Sequence, residues 1–146
     1  PAASALALLP HQPGLSIRML AVGVGLSHAG TVRLVDRLAS EGLIERREHS
    51  SDGRTRALYL TPTGKIASDE VLASRDEVIA EGLSILKPDE LKILCDMAER
   101  VLRDRLENLE HSYRICRLCC YEGCTNCPID AELHERGVER GKSGDG

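Results

Sequence analysis

The chain has 146 residues, a length that suits one domain or one domain with an extension. Hydrophobic residues make up 42% of it, but its aromatic residues are three Tyr, without Phe or Trp. Any core must therefore be aliphatic, which favours helix packing over an aromatic-rich β sandwich. Residues 1–66 carry eight Lys or Arg against five Asp or Glu, whereas residues 67–146 carry 11 against 18. This uneven charge is typical of a protein that presents one face to a polyanion.

No run of apolar residues is long enough to span a bilayer. The apolar stretch at residues 1–10 lacks a basic segment and is bounded by prolines, so we do not interpret it as a secretory signal. We therefore expect a cytoplasmic protein that has no membrane partner.

The first part of the chain predicts a helix-turn-helix. A helix-like stretch at Ala2–Leu9 is closed by the turn-forming residues His11–Gly14. A short helix is expected at Ile17–Val22 and a longer one at His28–Ser40, after a glycine-containing turn, with Ser27 as its N-cap. The apolar face of the longer helix is expected at Val32, Val35, Leu38 and Ala39. Two short helices joined in this way, the second with a polar face, are typical of a helix-turn-helix.

The next segment predicts a β-hairpin. Ile44–Arg47 and Ala57–Leu60 have strand character, and Ser50–Gly53 has the residues of a turn. Arg54 and Arg56 would then lie at the hairpin tip. A helix-turn-helix followed directly by a hairpin is a winged helix.

Two long helices are expected after the hairpin. Thr61 can cap a helix that begins at Pro62 and runs to about Leu86. A second helix is expected from Asp89 to about Ile115. Its apolar residues form one narrow stripe at three- and four-residue spacing: Leu91, Leu94, Ala98, Leu102, Leu106, Leu109 and Tyr113. Such a stripe usually packs on a partner helix, which we expect to come from a second copy of the chain.

The predicted fold is mainly α-helical with a small β-hairpin wing, an α+β winged helix-turn-helix with long dimerisation helices. We divide the chain into a winged-helix DNA-binding domain at residues 1–64, a helical dimerisation region at 65–115, a Cys-rich metal-binding extension at 116–130 and a flexible tail at 131–146. The tail is assigned because its residues are charged and glycine-containing.

Five of the six cysteines lie within twelve residues of one another, from 116 to 127. They include two C-x-x-C pairs, Cys116 with Cys119 and Cys124 with Cys127, while Cys120 could replace Cys119 as a ligand. A C-x-x-C turn lets both thiolates point at one ion, and two such turns provide the four sulfurs of a tetrahedral site. Without a secretory signal, metal binding or redox chemistry is favoured over a disulfide framework.

Three interpretations of this cluster are open: a structural zinc site, which is the leading one, a [2Fe–2S] cluster, and a metal-free thiol–disulfide switch. Because the cluster follows the predicted long helix, oxidation or metal loss could change the separation of the two DNA-binding domains in the dimer. Cys95 stands apart and is expected to be a buried structural cysteine.

The sequence resembles the MarR family of bacterial transcription regulators. The resemblance is carried by four stretches: Gly25–Ser27, Thr31–Leu38, Glu41–Arg46 and Asp52–Gly64. The last contains a D-x-R motif, an alternating strand and a T-x-x-G motif, a combination that is fairly specific to the family. The resemblance covers Ala2 to about Arg105. It implies a dimer that binds pseudo-palindromic DNA and that often responds to small aromatic ligands or oxidants.

Two features depart from the family pattern. Members usually begin with a further helix that contributes to the dimer interface, whereas this sequence starts at the second helix, so we expect residues before Pro1. The segment Leu20–Val24 also lacks the charges common in the first helix of the motif. Within that segment, Gly23 weakens the helix by roughly 1 kcal/mol relative to Ala.

The residues near the N-terminus of a helix in the major groove read base edges. This rule makes Ser27, His28, Thr31 and Arg33 the candidates for base contacts. Arg33 could form two hydrogen bonds with a guanine edge, whereas His28 and Thr31 could each form one. Arg37, a turn further on, is expected to contact phosphate.

The arginines of the wing, Arg54 and Arg56, are placed to enter the minor groove or to hold its phosphates. In the resembled family, the aspartate at the position of Asp52 supports the wing arginine, and we expect the same role here. An alternative interpretation of the helix arginines is a solvated face, neutralised by the neighbouring carboxylates of Asp36 and Glu41.

These observations predict a dimeric bacterial transcriptional regulator, a repressor of a pseudo-palindromic operator that is controlled through the cysteine cluster. Its expected partners are double-stranded DNA, a second copy of the chain and a small-molecule effector. An enzyme is not predicted, because no C-x-x-C follows a βαβ pattern and no Gly-rich phosphate loop or Ser/His/Asp set is evident. Two alternatives remain open: an iron–sulfur or thiol redox-sensing regulator, and a winged-helix interaction module that does not bind DNA.

Overall fold

The structure is a computed structural model that describes the backbone of residues 1–49, 52–120 and 126–138, and the side chains of these residues apart from 49 and 52–56. The elements follow in this order: α1 (Ala2–Leu8), a 3-10 turn (Leu9–His11), β1 (Leu15–Ser16), α2 (Ile17–Val24), α3 (His28–Ser40), β2 (Ile44–His49), β3 (Asp52–Leu60), α4 (Pro62–Leu83), α5 (Pro88–Arg105), α6 (Leu109–Ile115) and α7 (Pro128–Glu135).

Helices α2 and α3 form the predicted helix-turn-helix. Helix α3 has the predicted bounds, and its N-cap is Ser27, whose Oγ accepts a hydrogen bond from the Gly30 N–H at 3.2 Å. The turn between the helices passes through Gly25, whose φ of 70° lies in the left-handed region that favours glycine. The Gly25 N–H donates to the carbonyl of Ala21 and so terminates α2.

The wing belongs to a three-stranded antiparallel sheet with the strand order β1-β3-β2. The predicted hairpin of β2 and β3 is confirmed, although both strands extend further toward the tip than expected. Strand β1 was not predicted, because two residues are too few to show the alternation of apolar and polar side chains that indicates a strand. Its Leu15 pairs with Leu58 of β3, which attaches the wing to the helical part of the domain.

The main core is aliphatic, as the composition requires. Its fully buried side chains include Leu8, Leu20, Val35, Leu38 and Leu58. Tyr113 of α6 is also buried there. Helices α1, α2, α3 and α6 and the sheet therefore share one core.

Gly23 of α2 lies where α2 approaches α1 closely. A Cβ at this position would lie 2.3 Å from Cδ2 of Leu8 and 3.5 Å from the carbonyl oxygen of Tyr113. The glycine that weakens α2 as an isolated helix therefore permits the packing of α1 and α6 against it.

The prediction of one helix from Asp89 to Ile115 was wrong, because the chain bends at Leu106. Leu106 has an extended ψ of 112°, and a new helix begins after Asn108, whose side chain accepts a hydrogen bond from the His111 N–H at 2.9 Å. The bend lets α6 pack in the main core while Leu106 packs against α7. The capping residue Asn108, in the middle of the apolar stripe, was the local signal for this break.

Residues 131–135, part of the segment predicted to be a flexible tail, are helical and belong to α7. Ile129 and Leu133 of α7 are buried with Leu106 and Cys116 in a second apolar cluster. The expectation of an irregular chain was wrong for these residues, because the burial of their apolar side chains offsets the entropy lost on ordering.

The second half of α4 and most of α5 leave large hydrophobic side chains exposed. They are Val78 and Ile79 of α4, Ile85 of the connection, and Leu91, Ile93, Leu94, Met97, Val101 and Leu102 of α5. We call this set the apolar α4–α5 surface. Large exposed apolar side chains in such number mark interaction sites on proteins. None of the helices in the described ranges is both long and apolar enough to cross a membrane.

Candidate nucleic-acid interface

Helix α3 has one face in the core and the opposite face in solvent. Its buried residues are Thr31, Leu34, Val35 and Leu38. Its exposed residues, together with the N-cap, are Ser27, His28, Ala29, Arg33, Asp36, Arg37 and Ser40. We call the exposed set the outer face of α3. Because the two sets follow the helical period, the outer face is available along the whole length of the helix.

Thr31 does not belong to the outer face, and its prediction as a base-reading residue was wrong. Its side chain is 0% exposed, and its hydroxyl donates to the carbonyl of Ser27 at 3.0 Å. The sequence already contained the signal, because Thr31 lies three, four and seven residues before Leu34, Val35 and Leu38. The predicted apolar face omitted Leu34 and was therefore rotated away from the true one.

The first turn of the outer face presents small and polar groups. Ser27 and His28 are exposed there, as predicted, and Ala29 is exposed beside them. Ala29 was missed by the sequence analysis because an alanine carries no polar group. Its methyl group can nevertheless contact the methyl of a thymine in a major groove.

The two arginines of the outer face differ in their surroundings. Nε of Arg37 lies 3.8 Å from Oε1 of Glu41, and both side chains are exposed. An exposed pair at this spacing contributes little, so it does not prevent Arg37 from contacting phosphate. No ion pair joins Arg33 to any side chain in the described part of the protein. Of these two arginines, Arg33 is thus the one whose guanidinium forms no ion pair with the described side chains.

An ion pair joins the wing to α3. Arg46 of β2 donates to the Asp36 carboxylate of α3. The sequence analysis paired Asp36 only with the arginines of its own helix, because a partner on another element cannot be read from helical spacing. The pair positions the first wing strand relative to α3.

Of the predicted wing residues, Asp52, Arg54 and Arg56 lie on β3, and Asp52 pairs in register with His49 near the hairpin tip. Their side chains lie outside the described residues. Their roles in supporting the wing and contacting DNA therefore stay predictions.

The base of the wing is joined to the end of α3 through the T-x-x-G motif. Thr61 donates its backbone N–H to the carbonyl of Leu43 at 3.1 Å, and its Oγ accepts the Gly64 N–H at 3.0 Å. A Cβ at Gly64 would lie 1.8 Å from the carbonyl oxygen of Leu43. Only glycine permits this approach, so the motif places α4 directly against the loop that follows α3.

The cysteine cluster lies at the opposite end of the chain from α3. Cys116 is 3% exposed, whereas Cys119, Cys120 and Cys127 are half-buried. Cys124 lies outside the described residues. Within the described ranges, no group of three or more His, Cys, Asp or Glu side chains lies close enough to hold a metal ion.

Two of these cysteines are in direct contact. The thiols of Cys116 and Cys127 form a hydrogen bond, and this bond, followed by burial, raises the pKa of the Cys127 thiol. Backbone N–H groups of Asp130 and Ile129 bond to the same sulfur and act in the opposite direction. Cys95, by contrast, is exposed on α5 within the single chain. Its burial was expected at an interface with a second copy, and it stays a prediction.

Residues 1–55 match the model of the MarR family, over the helix-turn-helix and the first part of the wing. These residues are therefore similar to the MarR family. The HTH-type transcriptional repressor MdtR of Bacillus subtilis is 29% identical over 109 residues, which are 72% of this chain and 70% of that protein. The HTH-type transcriptional regulator BilQ of Clostridium symbiosum is 32% identical over 90 residues, 62% of each chain.

Among solved structures, the PcaV transcriptional regulator of Streptomyces coelicolor with its natural ligand is 29% identical to this chain. The two align with a TM-score of 0.55 over 73% of this chain and 75% of PcaV. These similarities confirm the winged-helix fold. The relatives are transcriptional regulators and not enzymes, in agreement with the role predicted for this chain.

Proposed function

We propose that this protein is a homodimeric repressor of the MarR family that binds a pseudo-palindromic operator in double-stranded DNA through the outer face of α3. The observation that carries the proposal is the exposed guanidinium of Arg33, which forms no ion pair with the described side chains. A guanidinium at this position can form two hydrogen bonds with one guanine, and this is the commonest specific contact to DNA.

The other residues of the outer face have complementary roles in this proposal. Ser27, His28 and Ala29 contact base edges near the N-terminus of α3, and Arg37 contacts a phosphate beside them. The wing arginines enter the neighbouring minor groove. The ion pair between Asp36 and Arg46 supports this arrangement, because it links the position of the wing to that of α3.

The second copy of the chain is proposed to cover the apolar α4–α5 surface. Ile93, Met97 and Val101 are 59%, 57% and 59% exposed and follow one another at four-residue spacing along α5. A large hydrophobic stripe of this kind is costly to leave in water, and a two-fold symmetric partner offers an identical stripe. Such a dimer presents two copies of α3 to two half-sites.

The proposal includes a small-molecule effector and a cytoplasmic location. PcaV, which is similar to this chain, was solved in complex with its natural ligand. A regulator of bacterial transcription acts where the chromosome is, which is the cytoplasm.

The test begins with selection of binding sites from a pool of random DNA duplexes by the purified protein. The affinity for the enriched duplex is then measured by fluorescence anisotropy at several salt concentrations. We expect a pseudo-palindromic site and an affinity that falls steeply with salt, because each neutralised phosphate releases counterions. Substitution of Arg33 by Ala is expected to lower the affinity about 10- to 100-fold, the value of one guanine contact.

Arg105→Ala serves as the matched control, since Arg105 is exposed at the end of α5, away from α3. It should leave the affinity unchanged. A protein that enriches no common sequence and shows no salt dependence would instead be a winged-helix interaction module that does not bind DNA, and the proposal would be wrong.

A further inference from the structure

We infer that Arg46 of β2 is a positioning residue for operator recognition, because it holds the carboxylate of Asp36 away from Arg33 and fixes the angle of the wing against α3. The contact itself is independent of DNA binding, whereas its effect on operator affinity and base preference rests on the proposed function. Neither Asp36 nor Arg46 was among the DNA-binding residues predicted from the sequence.

The first argument is the environment of the Arg46 side chain. In the sheet Arg46 pairs with Leu58, which is fully buried, so its stem lies on the face of the sheet that packs in the core. Its Nε is buried and forms no hydrogen bond with the described residues, while its terminal nitrogen donates to the Asp36 carboxylate. The Arg46 side chain is 24% exposed, against 55% for Asp36. A guanidinium enclosed to this extent depends on its counter-charge, so loss of Asp36 should displace it.

The second argument is the position of Asp36 on α3. Asp36 lies three residues after Arg33 on the outer face, a spacing at which acidic and basic side chains of one helix form ion pairs. Its carboxylate is bonded instead to Arg46. A guanidinium neutralised by a neighbouring carboxylate would have to give up that pair before it could bind a guanine. Arg46 therefore keeps Arg33 available for the major groove.

The third argument is the geometry of the wing. The base of the wing is joined to the end of α3 through the T-x-x-G motif, whereas the Asp36–Arg46 pair lies further toward the tip. Strand residues advance about 3.3 Å each, so from Ile44 at the start of β2 it is about 7 Å to Arg46 and about 17 Å to His49. A rotation at the base would thus move the end of β2 roughly 2.5 times as far as it moves Arg46. The pair restrains the strand that leads to the proposed minor-groove contacts.

Simple electrostatics and positioning predict opposite effects for the removal of Asp36. Asp36 is an acid on a face proposed to meet a polyanion, so the loss of its charge alone would strengthen binding to any DNA. If the pair positions the wing, Asp36→Ala should bind random DNA slightly more tightly but the operator about 3- to 10-fold more weakly. Asp36→Glu retains the carboxylate and should keep most of the operator affinity.

The matched control is Glu41→Ala. It removes the same charge at the end of the same helix, from a residue that does not contact the wing arginine. It should bind the operator at least as tightly as the wild type. Stronger operator binding by both Asp36→Ala and Glu41→Ala would mean that only charge matters, and the inference would be wrong.

A double-mutant cycle tests whether Arg46 acts through Asp36. Arg46→Met keeps an unbranched stem but lacks the guanidinium, and it leaves Asp36 free to pair with Arg33. Operator affinity should fall about 10- to 30-fold, more than for Asp36→Ala. The combined substitutions should return the affinity to that of Asp36→Ala, because no carboxylate is then left to neutralise Arg33. Losses that simply multiply would mean that Arg46 itself contacts DNA, which would overturn the inference.

Base preference separates positioning from a general loss of stability. Selection from random duplexes by Asp36→Ala should enrich the same bases where Arg33 reads each half-site, but the preference at the flanks, where the wing enters the minor groove, should be lost. A half-exposed ion pair contributes little to stability, so urea denaturation should find the variant nearly as stable as the wild type. A weakening that is equal at all positions would contradict the assigned role.

Amide hydrogen exchange in the free protein tests the contact without DNA. Strand β2 lies at the edge of the sheet, so the loss of its connection to α3 should speed exchange in β2 of Asp36→Ala and leave that of Glu41→Ala unchanged. Unchanged exchange in Asp36→Ala would overturn the inference whatever the protein binds. If exchange changes as expected but the wild type enriches no operator, the pair positions the wing and the DNA-binding proposal fails.

Discussion

The hydroxyl of Thr61 donates a hydrogen bond to the carbonyl of Gly42 at 2.6 Å. Thr61 follows the wing, and Gly42 lies in the loop that follows α3, so the bond joins the wing and α3 at their bases. The same oxygen accepts the Gly64 N–H and caps α4. One hydroxyl therefore connects the recognition helix, the wing and the first long helix.

Thr61→Val keeps the shape of this side chain but removes the hydroxyl. We expect the free energy of unfolding to fall by about 1–2 kcal/mol, because a helix cap and a further hydrogen bond are lost. Urea denaturation followed by circular dichroism measures this change. Thr61→Ser retains the hydroxyl and should remain within about 0.5 kcal/mol of the wild type. Equal stability of the Val and Ser variants would contradict the assigned role.

Thr31→Ala tests the burial of Thr31 against its predicted contact with DNA. Because Thr31 is 0% exposed and its hydroxyl is bonded to Ser27, the substitution should lower the free energy of unfolding by about 1–2 kcal/mol. The operator affinity of the folded protein should not change, in contrast to that of Arg33→Ala. A variant of normal stability with weakened operator binding would restore Thr31 to the interface.

Two glycines within helices should respond to alanine in opposite directions. At Gly23 the new Cβ would lie 2.3 Å from Cδ2 of Leu8, which is fully buried and has little room to move, so Gly23→Ala should cost about 1–3 kcal/mol. At Gly82 of α4 nothing lies within 4 Å, so Gly82→Ala should raise the free energy of unfolding by about 0.5–1 kcal/mol. Thermal denaturation of both variants measures the difference, and a stabilised Gly23→Ala would show that α1 and α2 are not in close contact.

Met97→Lys tests whether the apolar α4–α5 surface is a dimer interface. Met97 is 57% exposed in the single chain, so a lysine can be accommodated in the monomer, but its charge would be buried in a dimer without a partner. Sedimentation analysis should find the wild type as a dimer and the variant shifted to monomer. Ser40→Lys adds the same charge at the exposed end of α3 and should remain dimeric. A dimeric Met97→Lys protein would place the interface elsewhere.

Glu132 of α7 should make stability depend on pH in the acidic range. Hydrogen bonds from Arg103 and then from Arg136 lower the pKa of Glu132 below its ordinary value of 4.5. Because the folded state holds the proton less tightly than the unfolded state, this stabilisation is present above pH 4.5 and is lost as the pH falls through the folded-state pKa. Glu132→Gln should therefore be less stable than the wild type at neutral pH, and the difference should shrink in acid.

Denaturation of both proteins between neutral pH and about pH 3 measures this difference. Glu107→Gln is the control, because Glu107 is an exposed glutamate. A gap between Glu132→Gln and the wild type that is constant with pH would contradict the assigned ion pairs.

The local elements of the domain could be predicted because short-range chemistry determines them. The bounds of α3 follow from the Ser27 cap at one end and from the sequence of Glu41–Leu43 at the other. The start of α4 follows in the same way from Thr61 and Pro62. Backbone capping involves neighbours within four residues, so the helix ends can be predicted from the capping residues in the sequence.

The candidate DNA interface could be predicted in part. His28, Arg33 and Arg37 are exposed as expected, because charged side chains on an amphipathic helix face water. Thr31 was misplaced, because a threonine is compatible with either face. Its spacing to Leu34, Val35 and Leu38 places it on the buried face once Leu34 is counted among the apolar residues.

The sequence by itself determined the winged helix-turn-helix, its caps and the position of the cysteine cluster, since each depends on residues close together in the chain. The tertiary structure alone decided that α6 packs in the main core, that Gly23 is a helix contact, and that the thiols of Cys116 and Cys127 meet. These outcomes depend on competition for burial between distant segments. A local pattern shows which residues can be buried, but the partners that bury them are chosen only when the chain packs.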